Sequence, residues 1–284
     1  MRLNLSKPTA LAYFESLVGG DDHFPLLEAA ASIAQDEYPE LDVQQVLCDV
    51  DRLMARLGRR LTTDGEPLQR LRALNQFFFR DLGFGANLNH FHDPDNSYLN
   101  ALLRTRRGIP ISLGVLWMAL AQGMDLNVQG IGFPGHFMVK VHLPRGTVVL
   151  DPLTGQSLTT EELSERLAPH HASGTLMDNF EAPLGLYLQP AAPRAIIARM
   201  LRNLKEIHRT QEDWPRMLAV QNRLVILLPE DWIEYRDRGL VHAELGNLRQ
   251  AVQDLDTYLA RAPEEPDHRA IKLRLSSLRG NRRG

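Results

Sequence analysis

Apolar residues recur at spacings of three and four through Ala10 to Leu17, Pro25 to Gln35 and Val43 to Leu57, which predicts a small N-terminal bundle of helices. A further helix is expected over Leu68 to Leu82, carrying the cluster Phe77-Phe78-Phe79 and stopping before Gly83. The next segment opens as a loop rich in glycine and asparagine, turns helical near Ser97 under a cap from Asn96 or Asp95, and stops at Gly108. Pro110 suits a first helical turn, and Ile111 to Gln122 is apolar almost all round, the mark of a helix enclosed by protein. After Gly123 the period switches to alternation. Val128 to Phe133, His136 to Leu143 and Thr147 to Leu150 read as three strands of a meander, the last two joined by a turn at Pro144-Arg145-Gly146.

From Pro193 onward the pattern is helical again, and it repeats. Pro229 and Pro263 stand 34 residues apart, the period of the tetratricopeptide repeat. With Trp232 as the first position, Gly239 is the eighth, Gly246 falls at the turn and Ala251 is the twentieth, and these small residues let two antiparallel helices approach closely. The second helix is expected to end at Pro263. A degenerate copy covers Ala198 to Pro229, with Lys205 where the glycine belongs. Two repeats are too few to stand alone, so the array is expected to dock on the preceding domain or to be completed by a helix over Asp267 to Leu278. It serves either as a binding surface for a protein or peptide, or only as a brace for the core.

Composition narrows the function classes. The 284 residues can bury one large or two modest cores, and with Cys48 as the only cysteine no intramolecular disulfide forms. The N-terminus lacks the pattern of a signal peptide, and the longest apolar run, Ile109 to Met124, is too short and too interrupted to span a membrane. A cytoplasmic protein is the expectation. Thirty-five acidic against 32 basic side chains leave a formal charge of −3, so no global field favours nucleic acid or an anionic membrane. Oligomeric state is not legible. No phosphate loop or dinucleotide fingerprint is present, and no cofactor is expected. Asn89 to Asp95 gathers potential metal ligands but lacks the spacing of a calcium loop or zinc site, so it reads as a loop capping the helix at Ser97, and no metal is expected. Arg104, Arg106 and Arg107 could bind an anion or line the mouth of the cleft, although three arginines at a helix C-terminus are expected from the dipole alone, and His170-His171 read as exposed loop residues.

Three residues could carry chemistry: Ser112 just inside the buried helix, His136 in GFPGHF and Asp151 in LDPLTG. A hairpin turning at Pro144 and Arg145 pairs residues whose numbers sum to about 289, which brings Asp151 near Met138 and diagonal to His136. A helix start supplies free N–H groups and a positive dipole end, so the three together have the logic of a nucleophile, a base and an orienter. Each also has a plainer reading. Ser112 can be an ordinary first-turn residue, His136 and Asp151 a structural hydrogen bond, and Asp151-Pro152 a turn.

The segments NSYLNALLRTRRGIPISLGVLWMALAQ, GIGFPGHFMVKV and VVLDPLTG, within Asn75 to Gly155, closely resemble the transglutaminase-like core of SirB-type bacterial regulatory proteins, and the tetratricopeptide tail is also that family's. The resemblance covers nearly the whole chain, most specifically Asn96 to Gly155, and implies an α+β chain. N-terminal helices and a papain-like core with a small antiparallel sheet occupy 1–190, and all-α repeats occupy 191–284. In catalytic relatives of that core the three positions hold cysteine, histidine and aspartate, which fall here on Ser112, His136 and Asp151. An alcohol's pKa lies far above the roughly 8.5 of a thiol, so this site needs full base assistance to react. Two outcomes stay open: a pseudo-enzyme scaffold that regulates by binding, or a serine-dependent amidase, peptidase or acyl-transferase. Asn96, Arg107, Phe133, Trp232 and Tyr235 are candidates to line a cleft or meet a partner.

Overall fold

The computed structural model describes residues 8–20, 24–60, 66–90, 92–172, 183–262 and 265–281. In chain order the helices and strands are α1 (Ala10–Val18), α2 (Leu26–Ser32), α3 (Val43–Gly58), α4 (Pro67–Asn75), β1 (Gly85–Ala86), α5 (Leu99–Thr105), β2 (Arg107–Gly108) and α6 (Pro110–Gln122). The meander β3 (Asn127–Ile131), β4 (Met138–Leu143), β5 (Gly146–Leu150) and β6 (Ser157–Leu158) follows, then α7 (Thr160–Ala172), the single turn α8 (Leu184–Tyr187) and α9 (Pro193–Thr210). The chain continues as α10 (Trp214–Leu227), α11 (Trp232–Glu244), α12 (Leu248–Arg261) and α13 (His268–Asn281). No helix among the described residues is long and apolar enough to cross a membrane.

Two compact units result. One holds Pro25–Ala34 and Glu40–Met200; the other joins α1 and Gln35–Pro39 to the chain from Leu201 onward. The division therefore falls inside α9, ten residues beyond the boundary expected after residue 190, and α1 belongs with the repeats rather than with the other N-terminal helices. The physical reason is specific. α1 packs on α10, where the fully buried Arg223 holds Asp36 at 2.6 Å and lies under the ring of Phe14.

In the core unit α6 is the spine that its apolar surface predicts. Ten of its residues are buried, and α2, α3, α4, α5 and two strands pack around it. The sheet runs β3-β4-β5-β6, all antiparallel, and alternation divides its faces. Ile131, Met138 and Val149 face Leu163 and Leu167 of α7, while Val139 points toward α6. The β4–β5 turn pairs Leu143 with Gly146 and Val139 with Leu150, the register read from the turn residues. Other local details depart from expectation. The helix over Leu68 to Leu82 becomes a π-helical turn at Gln76–Asp81, and the segment near Ser97 begins as a 3-10 turn, Pro94–Ser97, capped by Asp93. α5 then stops at Arg106, whose backbone is left-handed, before Gly108.

In the repeat unit α11 and α12 meet where Gly239 has no side chain: a Cβ there would lie 2.9 Å from Leu255 Cδ2. α13 supplies the completing helix, adding Ile271, Leu275 and Leu278 to the cluster of Ala251, Leu255 and Tyr258. α12 closes at Arg261; Pro263, the expected terminator, lies outside the described residues. Lys205, the misfit of the degenerate copy, has a defined role, since its ammonium group meets Glu234 at 2.7 Å and Asp237 at 2.5 Å.

Candidate functional site

The loop between β3 and β4 shapes the histidine's position. His136 follows a turn in which its own N–H donates to the Phe133 carbonyl at 3.1 Å, and the turn is possible because Gly135 takes φ +66°. A side chain at Gly135 would also strike His170, whose Nε2 would lie 2.6 Å from the added Cβ. Arg199 donates to the Phe133 carbonyl at 3.1 Å from α9. His136 thus precedes β4 by two residues and is held from both sides of its loop. His170 lies on α7 rather than in the loop expected of it, because that helix runs on to Ala172.

Asp151 follows β5 directly, where the hairpin register delivers it to the imidazole. Its Oδ1 accepts from His136 Nε2 at 3.0 Å and from the Leu153 N–H at 3.0 Å, and Oδ2 accepts from Arg166 at 3.1 Å. The turn after it is fixed by the Gly155 N–H donating to the Asp151 carbonyl at 2.7 Å, and Asn75 ties that turn to α6 by bonding both the Gly155 carbonyl and Trp117 Nε1. Burial by itself would raise the Asp151 carboxyl. The bonds from His136, the Leu153 N–H and Arg166 outweigh it and hold the group at about 2. A carboxylate that stays ionised can only accept, so the ring nitrogen facing it, Nε2, is the donor. Sequence reasoning placed the His–Asp pair but missed Arg166, which sits on the polar side of α7 beside the buried Leu163 and Leu167. A basic residue three positions after one core leucine and next to another was the available signal.

The depressed carboxyl makes the dyad acid-sensitive in a defined direction. Above the ordinary carboxylate range of about 4 its bonds contribute fully to stability; as pH falls through about 2 the contribution vanishes. Its full size is about 2 kcal/mol. Asp151→Asn should therefore be less stable than wild type by about that amount at pH 6, with the gap closing below pH 4 in urea melts. A gap that stays constant with pH contradicts the ion-pair geometry.

Ser112 does not join this dyad. Its side chain is wholly buried, and its hydroxyl donates to the Asn96 carbonyl at 2.6 Å while accepting the Ile109 N–H at 3.1 Å. The Ile109 carbonyl lies a further 3.1 Å away. This is the plainer reading of the residue: a first-turn hydroxyl that reinforces the bond which the Ile109 N–H already gives the Asn96 carbonyl at 3.2 Å. No hydrogen bond joins it to His136, whose side chain is 20% exposed.

The other candidates scatter. Asn96 is buried and structural: its amide donates to the His90 carbonyl at 2.7 Å and accepts from Asn87, and its carbonyl holds Ser112. Phe133 lies in the core beneath the sheet rather than on a cleft wall. Arg107 is exposed on β2 and reaches back to the Gly83 carbonyl at 2.6 Å. Trp232 and Tyr235 lie together on α11, rings 5.5 Å apart, with Arg261 and Arg238 against them. Within the Asn89–Asp95 stretch Asp93 caps the turn that follows it, accepting the Asp95 N–H at 3.0 Å. Among the described residues no three His, Cys, Asp or Glu side chains gather as metal ligands do.

Comparison with known proteins agrees with this architecture. The transglutaminase-like superfamily matches residues 44–202 and a tetratricopeptide repeat family matches 204–276. A UPF0162 protein of Xylella fastidiosa (strain Temecula1) is 34% identical over 267 residues, 92% of each chain. The UPF0162 protein YchA of Escherichia coli K12 is 27% identical over 260 residues, 89% of this chain and 93% of its own, and a Vibrio cholerae UPF0162 protein is 24% identical over 262. A solved structure of menin aligns with 88% of this chain and 68% of its own at 9% identity and a TM-score of 0.42.

Proposed function

Since this chain belongs to the UPF0162 family, with a transglutaminase-like core followed by tetratricopeptide repeats, we propose that it is a scaffold that acts by binding protein partners and not by covalent turnover at Ser112. The observation that carries this reading is the commitment of the Ser112 hydroxyl to the Asn96 carbonyl. A nucleophile needs its proton aimed at a base and its oxygen open to substrate. This oxygen has neither. The repeats supply the partner-binding element in the proposal, as helix pairs of this kind present extended surfaces to other proteins.

One observation favours a second reading, a serine-dependent amidase, peptidase or acyl-transferase. His136 and Asp151 keep the hydrogen bond that orients a general base. For that reading to hold, Ser112 must leave Asn96, turn toward Nδ1 and become accessible. Labelling of the full chain with a fluorophosphonate, with Ser112→Ala and His136→Ala as references, separates the two: a scaffold stays unlabelled at Ser112.

A further inference from the structure

A groove of about 640 Å³ lies between α3 and α5 of the core unit, walled in part by Val46, Leu53 and Leu103. Its charges are unevenly matched. Arg52 holds Asp49 at 2.6 Å and Arg104 lies 3.3 Å from Asp95, whereas Arg56 and Arg106 have no carboxylate partner among the described residues. Two remaining acidic lining residues, Glu40 and Asp42, stand at the far end, by the start of α3. Even Asp49 is about 10 Å along the helix axis from Arg56 at 1.5 Å per residue.

Arg106 is the unusual member. It occupies the left-handed cap of α5 at φ +61°, where glycine avoids a strain that arginine has to bear. Its Nη1 is buried without a hydrogen-bond partner, and its guanidinium is held over the ring of Phe84, 4.7 Å from the centroid. Burial, then the nearby charge of Arg56, lowers its hold on its proton. Arg56 is steadied in turn by the Phe77 ring at 5.6 Å. Asn100, whose Oδ1 is likewise buried without a partner, lines the same groove. A strained backbone and two guanidiniums without a carboxylate, gathered at one cavity, point to an anionic ligand.

We propose that this groove binds a phosphate monoester of a small molecule. Two guanidiniums match the charge of about −2 that such a group carries near neutral pH, where a carboxylate neutralises only one. Their planar forks suit phosphate oxygens. The ligand's carbon skeleton lies along the leucine and valine wall, and the volume is that of an ordinary small-molecule pocket.

The test is calorimetric titration of the full chain with inorganic phosphate and with glycerol 3-phosphate at constant ionic strength. Saturable binding of both is expected, tighter for the ester. Arg56→Gln and Arg106→Gly should each weaken it by roughly tenfold or more. Arg106→Gly is the informative variant, because glycine suits its backbone and the fold should persist, as circular dichroism will report. Absence of saturable binding to the wild type, or unchanged affinity in both variants, overturns the proposal.

Discussion

Phe137→Ala is expected to lower the stability of the core unit by about 3–5 kcal/mol, the cost of emptying a large aromatic site that cannot collapse. The ring is 1% exposed and fills the gap between α6 and β3. Both walls are glycine: a Cβ at Gly114 or at Gly130 would come within 2.6 Å of ring atoms. Backbone forms much of this pocket, so the walls have few side chains with which to close the void. The same residue stands between His136 and β4, so its packing helps to fix the loop that carries the imidazole. Urea melts of the full chain, with hydrogen exchange followed on Leu113 to Leu120, measure the loss and locate it. A change under about 1 kcal/mol, the size of a surface substitution, contradicts this packing.

The second large effect is electrostatic. Glu234→Ala should cost about 3 kcal/mol, because it leaves Lys205 facing a buried site without its main counter-ion. The Glu234 side chain is only 2% exposed and accepts from Arg202 at 2.9 Å, Lys205 at 2.7 Å and Gln221 at 3.3 Å. Burial would raise its carboxyl, yet the bonds and charges of Lys205 and Arg202 hold it below its ordinary value. Asp237 remains for Lys205, and Arg202 is half exposed with Asp231 nearby, which keeps the loss from being larger. The double variant Glu234→Leu/Lys205→Met should recover most of the stability, since buried pairs replaced by apolar residues of similar size are often neutral. If the double variant is as unstable as the two single losses added together, the pair is not coupled as described.

What the sequence made legible was what local chemistry determines. The Pro144-Arg145-Gly146 turn set the hairpin register, and the register alone carried Asp151 to His136. The apolar surface of Ile111 to Gln122 announced a central helix, and the small residues Gly239 and Ala251 announced a close helix pair. What escaped depends on distant partners. The Ser112 hydroxyl is spoken for by a main-chain carbonyl 16 positions earlier, and no pattern at Asn96 advertises it. Arg166 reaches Asp151 only because α7 covers the sheet, and α1 joins the repeats through contacts with α10. The π turn at Gln76–Asp81 likewise has no sequence signature in the run of three phenylalanines that it carries.

On the scaffold reading, Ser112 is a structural hydroxyl in a transglutaminase-like frame. Intact-mass analysis of the full chain after fluorophosphonate treatment near neutral pH should then find no adduct on Ser112 in the wild type, and a spectrum matching that of Ser112→Ala. A stoichiometric adduct that disappears in both Ser112→Ala and His136→Ala contradicts it and makes this site an enzyme's.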